Sequence, residues 1–374
     1  MSTTRTNTTA RRLAHLYRAR WAARMATAAL ACGIGMVVAP GVVHAAKPSP
    51  ASDLGSLHGA DAYGSARAVN RAGRVVGNAY DTETGSTRQA QWWQGTVVAW
   101  GDCCGSGLGV PVAINRTGEV AGYNEGGFDT YPVYWSASGV AVELPGLPGG
   151  NTRGAAHDIN DAGYVAGYTR DANGQSRHAV LWRGGVLEVD LGFMGQAGPG
   201  YANQSMAYGL NNQNVVVGTA LIGNDYHAFS WQDGVFTDLG LGVAREVTDD
   251  GLTIAGTAPG GMPVVWRGGV RSYLPALGGG AIAYGHTLSA MNNKGQAVGF
   301  APAVKAPYLD TAVLWRGGKA IDLGRYPGGT VSRAYGISDQ GVVVGEGNLV
   351  PNGPMHALRW TLRAGGVAQV ELQD

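Results

Sequence analysis

The sequence predicts an all-β fold, a seven-bladed β-propeller of four-stranded blades preceded by a signal peptide, and two repeating patterns carry this prediction. The first is a segment that occurs seven times: an apolar residue, Asn or a similar residue, a short turn that usually contains Gly, and a small apolar run. Each run ends in a glycine, and these glycines are 38 to 51 residues apart, which is the size of a propeller blade. The closing glycines are Gly77, Gly122, Gly167, Gly218, Gly256, Gly299 and Gly345.

The second pattern is a tryptophan that occurs once in each unit. Each tryptophan follows the closing glycine of its own unit. The two patterns therefore belong to one repeating unit. We assign it to Trp93, Trp135, Trp182, Trp231, Trp266, Trp315 and Trp360.

Composition also favours short strands over helices. The chain contains 62 glycines in 374 residues, and glycine destabilises a helix interior by about 1 kcal/mol per position. Hydrophobic residues make up 45% of the chain, which is enough to bury a core, while only 14% of residues are charged. An all-β fold with many tight turns is therefore expected.

Residues 1–45 are predicted to be a secretory signal peptide. Six arginines and no acidic residue precede the apolar run MATAALACGIGMVV, and small residues at 43 and 45 suit cleavage before Ala46. An uncleaved anchor helix over residues 25 to 46 is the alternative, since about 20 apolar residues can span a bilayer. After the signal peptide we expect an N-terminal segment over 46–65 and the seven-repeat propeller over 66–374.

The net charge after removal of this peptide excludes some partners. The remaining chain has 21 Lys and Arg against 26 Asp and Glu. A mildly acidic surface argues against nucleic acid or an anionic membrane as partner, because both are bound mainly through clustered Lys and Arg. No later segment is long and apolar enough for a membrane span.

Two cysteines remain, and they are adjacent. Cys103 and Cys104 can form a strained vicinal disulfide or stay reduced, and the sequence leaves their redox state open. A zinc site would need further ligands at suitable spacing, and none is nearby. We therefore predict neither a metal nor a cofactor.

Each unit reads as four strands. In the fourth unit, "AYGLN" at 207–211 is the first strand, the Asn begins a type I turn with a glycine bulge, and "VVG" begins the second strand. "HAFSW" is the third strand and "VFTDLG" the fourth. The sequence does not decide how the two ends of the ring meet. "DLG" at 53–55 resembles the end of a fourth strand, yet "VAQVELQD" at 367–374 already supplies the last one.

A histidine recurs four residues before the tryptophan in three units. It is present at His178, His227 and His356. A residue that recurs with its neighbours is typical of a building unit, so we predict a structural role at a position away from the propeller axis. A metal bound by the three histidines stays open only if that position lies near the axis. The other units carry Gln89, Tyr131, Met262 and Thr311 at this position.

These motifs resemble a known family. "YHAFSW", together with "INDAGYVAG" and "DLG", is similar to the HAF-repeat family of extracellular bacterial proteins, whose triplet stands here at His227, Ala228 and Phe229. The resemblance covers about residues 54 to 374. It implies export and a propeller-like repeat fold, but no activity and no catalytic or binding residue.

Two units depart from the family pattern at the turn. Asn214 replaces the turn glycine in the fourth unit, and the fifth unit has one extra residue after Gly251. We expect altered turns in both.

Candidate ligand-binding residues come from positions that break the repeat on the first strand. In propellers this strand lines the central channel, where ligands commonly bind. Two positions before the Asn, most units have a small residue, but two units have an acid. One position earlier, the units have charged, aromatic and hydroxyl side chains. Such a set suits a polar or sugar-like ligand. The alternative is that the acids pair with the basic residues and close the channel. The candidates are Arg67, His157, Asp158, Tyr208, Arg245, Glu246 and Tyr335.

The sequence therefore predicts an exported repeat protein, secreted or periplasmic, that acts as a non-enzymatic binding or envelope-interaction scaffold. Its partner is expected to be a carbohydrate or another envelope or extracellular protein. The alternative is a secreted or periplasmic carbohydrate-active enzyme that uses Asp158 and Glu246 as paired carboxylates at the channel mouth. No residue is predicted to be catalytic in the first of these two hypotheses.

Overall fold

The computed structural model describes residues 51–57, 62–101, 107–279, 285–304 and 306–362. Three sequence predictions lie outside these residues: the signal peptide over 1–45, the cysteine pair Cys103 and Cys104, and the last strand at 367–374.

The described chain forms seven four-stranded antiparallel sheets, which confirms the predicted propeller. Six sheets take their strands in sequence order from the axis outwards. A single 3-10 turn, Pro259–Gly261, is the one helical element of the described chain. Blades one to three are β2 (Gly64–Val69), β3 (Val75–Asp81), β4 (Ser86–Trp93) and β5 (Thr96–Ala99); β6 (Leu108–Ile114), β7 (Val120–Gly126), β8 (Asp129–Trp135) and β9 (Ala141–Glu143); and β10 (Gly154–Ile159), β11 (Tyr164–Arg170), β12 (Arg177–Arg183) and β13 (Val186–Gly192).

Blades four to six continue the same pattern, and blade seven takes its outer strand from β1 (Ser52–Asp53). The remaining strands are β14 (Ser205–Leu210), β15 (Val216–Ile222), β16 (Asp225–Gln232) and β17 (Val235–Leu241); β18 (Val243–Val247), β19 (Thr253–Ala258), β20 (Met262–Arg267) and β21 (Val270–Tyr273); β22 (Thr287–Met291), β23 (Ala297–Ala303), β24 (Ala306–Arg316) and β25 (Lys319–Gly324); and β26 (Ser332–Ile337), β27 (Val342–Asn348) and β28 (Met355–Thr361).

The ring is closed by the N-terminal strand. In β1, Ser52 pairs with Arg359 and Asp53 with Leu358 of β28. "DLG" at 53–55 is therefore the end of a fourth strand, as its resemblance to the other units indicates, and the outer edge of β28 is occupied by β1. The N-terminal segment thus contributes to blade seven, and the first strand of blade one begins at Gly64.

The hydrophobic core is divided among the blade interfaces. The described residues form seven apolar clusters, and each is shared by two neighbouring blades around the closed ring. Burial of apolar side chains between sheets is thus the main force that holds one blade against the next.

In several blades the repeated tryptophan donates a hydrogen bond to the segment that precedes its blade. In blade three the Trp182 indole N–H donates to the Pro145 carbonyl at 2.7 Å, and in blade five Trp266 donates to Leu239 at 3.0 Å. The assignment of Trp93 to this position was wrong. Strand register places Trp92 opposite Val75 as Trp231 stands opposite Val216, and Trp92 donates to the Gly55 carbonyl at 2.9 Å.

The closing glycines are required by a close approach between the first two strands. In blade four a Cβ on Gly218 would collide with the carbonyl oxygen of Met206, and the equivalent collision occurs at all seven positions. In each blade the first strand has a β-bulge beside this glycine. The repeat therefore preserves Gly for a steric reason.

The turn after the first strand is built by its asparagine. The Asn70 side chain accepts hydrogen bonds from the N–H groups of Ala72 and Arg74, and its amide donates to the Asn115 carbonyl of blade two at 3.1 Å. Asn214 takes the glycine position of the fourth turn with φ of 58°, a conformation that Asn tolerates, so that turn keeps its geometry. The fifth turn is longer by one residue, as expected.

The recurring histidine belongs to the third strand and pairs with the aspartate of the DLG motif on the fourth. The Nδ1 atom of His178 lies 3.0 Å from Asp190 Oδ2, and that of His227 lies 3.0 Å from Asp238 Oδ2. In blade seven His356 faces Asp53 at 3.5 Å, so this pair joins the closing strand to the ring.

The equivalent residue in blade one is Arg88, so the assignment of Gln89 was wrong. Ala79 stands opposite Arg88 as Ala220 stands opposite His227, one residue before Gln89. This error and the error at the tryptophan have the same cause. Trp92 and Trp93 are adjacent, and the choice of Trp93 also shifted the histidine-equivalent assignment in this unit by one residue. In blade six Thr311 fills the position and its hydroxyl donates to Asp322 at 2.8 Å.

Within the described residues, no helix has the length and apolarity needed to cross a membrane.

Candidate functional site

The β-bulge of each first strand turns one unpaired residue towards the propeller axis. The register shifts skip one residue per blade, and this residue lies three positions before the turn asparagine. Because a bulge re-aims a side chain, this position, which differs widely between the seven units, faces the channel. In blade order the bulge residues are Arg67, Val112, His157, Tyr208, Arg245, Ser289 and Tyr335.

The channel encloses a cavity of about 580 Å³, within the range of sites for small ligands. All seven blades contribute to its wall, and all seven candidate residues line it. The structure therefore brings together the residues that the sequence pattern selected.

The junction of blades seven and one holds the first arginine and tyrosine pair. The Arg67 guanidinium carbon lies 4.6 Å from the Tyr335 ring centroid. The Tyr335 hydroxyl donates to Glu346 at 2.8 Å, and Arg333 donates to the same carboxylate oxygen at 3.2 Å. This network fixes the ring under Arg67, whose Nε is buried and has no hydrogen-bond partner among the described residues.

The junction of blades four and five holds the second pair. The Arg245 guanidinium carbon lies 5.3 Å from the Tyr208 ring centroid. On the other side, His157 contacts Tyr208 with ring centroids 4.8 Å apart and stacks on Tyr168 at 5.9 Å. A tyrosine is thus held between a cation and an imidazole.

His157 is a neutral imidazole at physiological pH. Burial and the Arg245 guanidinium lower its pKa to about 4. Its buried Nε2 has no hydrogen-bond partner within the described chain. A neutral imidazole can donate one hydrogen bond and accept another, which suits a hydroxyl group.

Asp158 joins two blades through their backbones. One carboxylate oxygen accepts from the Ile159 N–H at 2.8 Å and the other from the Leu210 N–H of blade four at 2.7 Å. Burial raises its pKa to about 7, although these two hydrogen bonds lower it. Among the described residues Asp158 forms no ion pair with Arg67, Arg245 or His157, so its contacts are with backbone and not with the basic side chains that the sequence suggested.

Glu246 is the second carboxylate of the wall. Burial and the neighbouring Asp158 raise its pKa well above the usual value, while Arg245 lowers it. The two acids therefore interact electrostatically, as paired carboxylates do. No ion pair between Glu246 and Arg245 is present in the described part of the chain, so Arg245 lacks a carboxylate partner there.

One functional element was missed by the sequence reasoning: a polar ring at the channel mouth, formed by the residue that follows each turn Asn or its equivalent. Asn212 donates from its amide to Asp161 at 3.3 Å and to Asp249 at 3.2 Å, and Asn293 donates to Asp249 and Asp339 at 2.9 and 3.1 Å. The signal was the alternation of acid and amide at this position. The mouth ring consists of Arg71, Arg116, Asp161, Asn212, Asp249, Asn293 and Asp339.

The described residues contain no group of three or more His, Cys, Asp or Glu side chains placed to hold a metal ion. The three repeated histidines are on third strands, and none of them lines the channel.

Comparison with protein-family models gives no match, and comparison with curated proteins gives none. Solved structures with a similar fold include TolB from Acinetobacter baumannii, at 12% identity and a TM-score of 0.41 over 77% of this chain and 76% of that chain. The WD40 propeller domain of Doa1 is similar at 14% identity and a TM-score of 0.46, over 85% and 99% of the two chains.

A gluconolactonase from Xanthomonas campestris, XC5397, is similar at 14% identity and a TM-score of 0.41, over 87% of this chain and 99% of that one. These proteins differ in function from one another, and their likeness to this chain is too distant for any functional conclusion.

Proposed function

We propose that this protein is an exported member of the HAF-repeat family, secreted or periplasmic, whose propeller is a non-enzymatic binding scaffold. We place its ligand, a carbohydrate or a polar group of another envelope protein, in the central channel. One observation carries the proposal. The bulge position differs widely between the units of an otherwise regular ring, and all seven of its residues face one cavity.

The chemistry of the wall supports a polar ligand. Tyr208 and Tyr335 offer ring faces, Arg67 and Arg245 offer guanidinium N–H groups, and His157 offers a neutral imidazole. Aromatic faces and directional hydrogen bonds are the combination by which proteins bind sugars and other small polar molecules.

Thermal unfolding of the purified protein against glycans and cell-wall fragments tests this proposal. A ligand that binds only the native state raises the unfolding midpoint. We expect at least one to do so for the parent and for Arg271→Ala, an outer-surface control, and to fail for Arg245→Ala. A shift that survives in Arg245→Ala would place the ligand outside the channel.

A carbohydrate-active enzyme is the second candidate, favoured by the two neighbouring carboxylates of the wall, Asp158 and Glu246. Against it, both oxygens of Asp158 already accept backbone hydrogen bonds. Release of reducing sugar by the parent, abolished in Glu246→Gln while the midpoint shift is kept, would establish the enzyme; no release from any glycan that binds would support the scaffold.

Export is tested by the N-terminus of the protein recovered from culture medium or periplasm. We expect a chain that begins at Ala46. A chain that retains the arginine-rich segment and sediments with membranes would support the uncleaved anchor instead.

A further inference from the structure

The two channel arginines lie on nearly opposite sides of the ring. Arg67 belongs to blade one and contacts Tyr335 of blade seven, and Arg245 belongs to blade five and contacts Tyr208 of blade four. With seven blades, the two junctions are three blades apart in one direction and four in the other. The two cations therefore face each other across the channel.

Both guanidiniums keep their hydrogen-bonding edges free. Each guanidinium carbon lies over a tyrosine ring, and such a contact with the ring uses none of the arginine's hydrogen-bond donors. Neither arginine forms an ion pair within the described residues, and the buried Nε of Arg67 has no hydrogen-bond partner there. An arginine edge of this kind matches a carboxylate through two parallel hydrogen bonds.

The nearby acids do not neutralise these cations. The carboxylate of Asp158 accepts backbone N–H groups of blades three and four. Asp161, Asp249 and Asp339 are held by Asn212 and Asn293 in the mouth ring, at the end of the channel where the first strands turn. Glu246 forms no ion pair with Arg245 within the described residues, and burial and the neighbouring Asp158 raise its pKa.

On each side, the wall between the two arginines includes an uncharged polar bulge residue, and on one side also the apolar Val112 of blade two. Ser289 is the bulge residue of blade six, between the two junctions on one side, and His157 is that of blade three on the other. Hydroxyl and neutral imidazole groups exchange hydrogen bonds with sugar hydroxyls.

From this arrangement we propose that the channel selects an acidic saccharide with two carboxylate groups, one bound by Arg67 and the other by Arg245. This inference rests on the proposed function, because it names the ligand class of the same channel.

Isothermal calorimetry on the purified protein tests the inference with digalacturonate as probe. Galacturonate, which has one carboxylate, and a neutral galactose disaccharide serve as comparison ligands, and glutarate is a dicarboxylate without a sugar ring. We expect digalacturonate to bind at least about 10-fold more tightly than each of the other three, since a charge-assisted hydrogen-bonded pair is worth about 1.5–3 kcal/mol.

Arginine variants locate the two carboxylates. Arg67→Ala and Arg245→Ala are each expected to weaken digalacturonate binding at least about 10-fold. Arg183→Ala is the matched control, because Arg183 lies over Tyr164 with its guanidinium carbon 4.7 Å from the ring centroid but does not line the channel. Its affinity is expected to equal that of the parent.

The outcomes separate this inference from the proposed function. Equal affinity for the neutral disaccharide and digalacturonate would overturn the inference and leave a carbohydrate-binding channel in place. Glutarate that binds as tightly as digalacturonate would overturn the saccharide class and retain the two-carboxylate chemistry. No binding of any probe would also overturn the inference, while the proposed function fails only if the wider glycan panel gives no Arg245-dependent shift.

Discussion

The third-strand histidine position and the first-strand bulge position belong to the same seven-fold repeat but are used differently. Where the first recurs as His178 and His227, its partner is always the DLG aspartate, and the pair joins adjacent strands of one blade. The bulge position carries cations, rings, an imidazole, a hydroxyl and an apolar residue, all facing one cavity. The positions that recur stabilise the propeller fold, and we call them the frame. The positions that vary are the ones available for a ligand.

The frame is most sensitive at the closing glycines, where the largest effect is expected. Gly218→Ala places a Cβ against the Met206 carbonyl and the Phe229 ring, so the first two strands of blade four must separate. We expect a loss of about 3 kcal/mol in the free energy of unfolding, measured by urea denaturation.

The control for this prediction is Gly184→Ala. Gly184 lies in a turn with φ of 58°, and a Cβ there meets no atom within 4 Å. Its expected cost is only about 1 kcal/mol, for the left-handed conformation alone. Equal losses in the two variants would contradict the steric explanation of the repeat.

Loss of the tryptophan hydrogen bond is expected to have a smaller effect, and two units that differ in this bond test it. Trp182 donates to Pro145, whereas the buried indole N–H of Trp360 has no partner within the described residues. Trp182→Phe is therefore expected to cost about 1 kcal/mol more than Trp360→Phe in urea unfolding. A larger loss for Trp360→Phe would mean that ring volume, and not this bond, decides the difference.

Removal of the histidine and aspartate pair is expected to lower stability without weakening ligand binding. Removal of the charge-assisted hydrogen bond in His227→Ala is expected to lower the free energy of unfolding by about 1 kcal/mol. A double-mutant cycle with Asp238→Ala isolates the pair from the loss of packing. Lost ligand affinity at unchanged stability would refute the structural role.

The smallest effect is a pH dependence that comes from the channel. The pKa values of Asp158 and Glu246 are raised, so the stability they contribute is present below about pH 4 and is lost as the pH rises through about 7 for Asp158. His157, with its pKa lowered to about 4, acts in the opposite sense: its contribution is present above about 6.5 and is lost as the pH falls towards 4.

Of these three channel groups, His157 is neutral in the native state above pH 6.5, so the raised pKa values of the two carboxylates determine their contribution to the slope there. The unfolding free energy of the parent is therefore expected to fall between pH 6.5 and 8, and that of Glu246→Gln to fall less, because Gln imitates the neutral acid. Identical slopes for the two proteins, measured by urea unfolding at each pH, would show that Glu246 is ionised throughout.

The repeat made the frame predictable because its positions obey local geometric rules. Asn begins the turn and Gly permits the bulge, and both rules can be seen in a single unit of the sequence. The same alignment selected seven candidate residues that all line the channel, since a propeller's first strand lines its axis. The predicted register of blade one was wrong by one residue because Trp92 and Trp93 are adjacent.

Two features depend on distant parts of the chain and were not predictable in the same way. The closing strand at Ser52–Asp53 pairs with residues more than 300 positions away, and no local pattern chooses between it and a C-terminal strand. The backbone contacts of Asp158 with Leu210 depend on how blade four is placed against blade three. The mouth ring was visible as a pattern, but its bridging between blades needed the closed ring.

The most direct test of the comparison measures stability and ligand response together in Arg245→Ala and His227→Ala. The unfolding midpoint of each variant is recorded with and without the glycan that shifts the parent. His227→Ala is expected to lower the midpoint and keep the ligand shift, and Arg245→Ala to keep the midpoint and lose the shift. The opposite result, a binding loss at His227 and a stability loss at Arg245, would contradict the assignment of frame and channel.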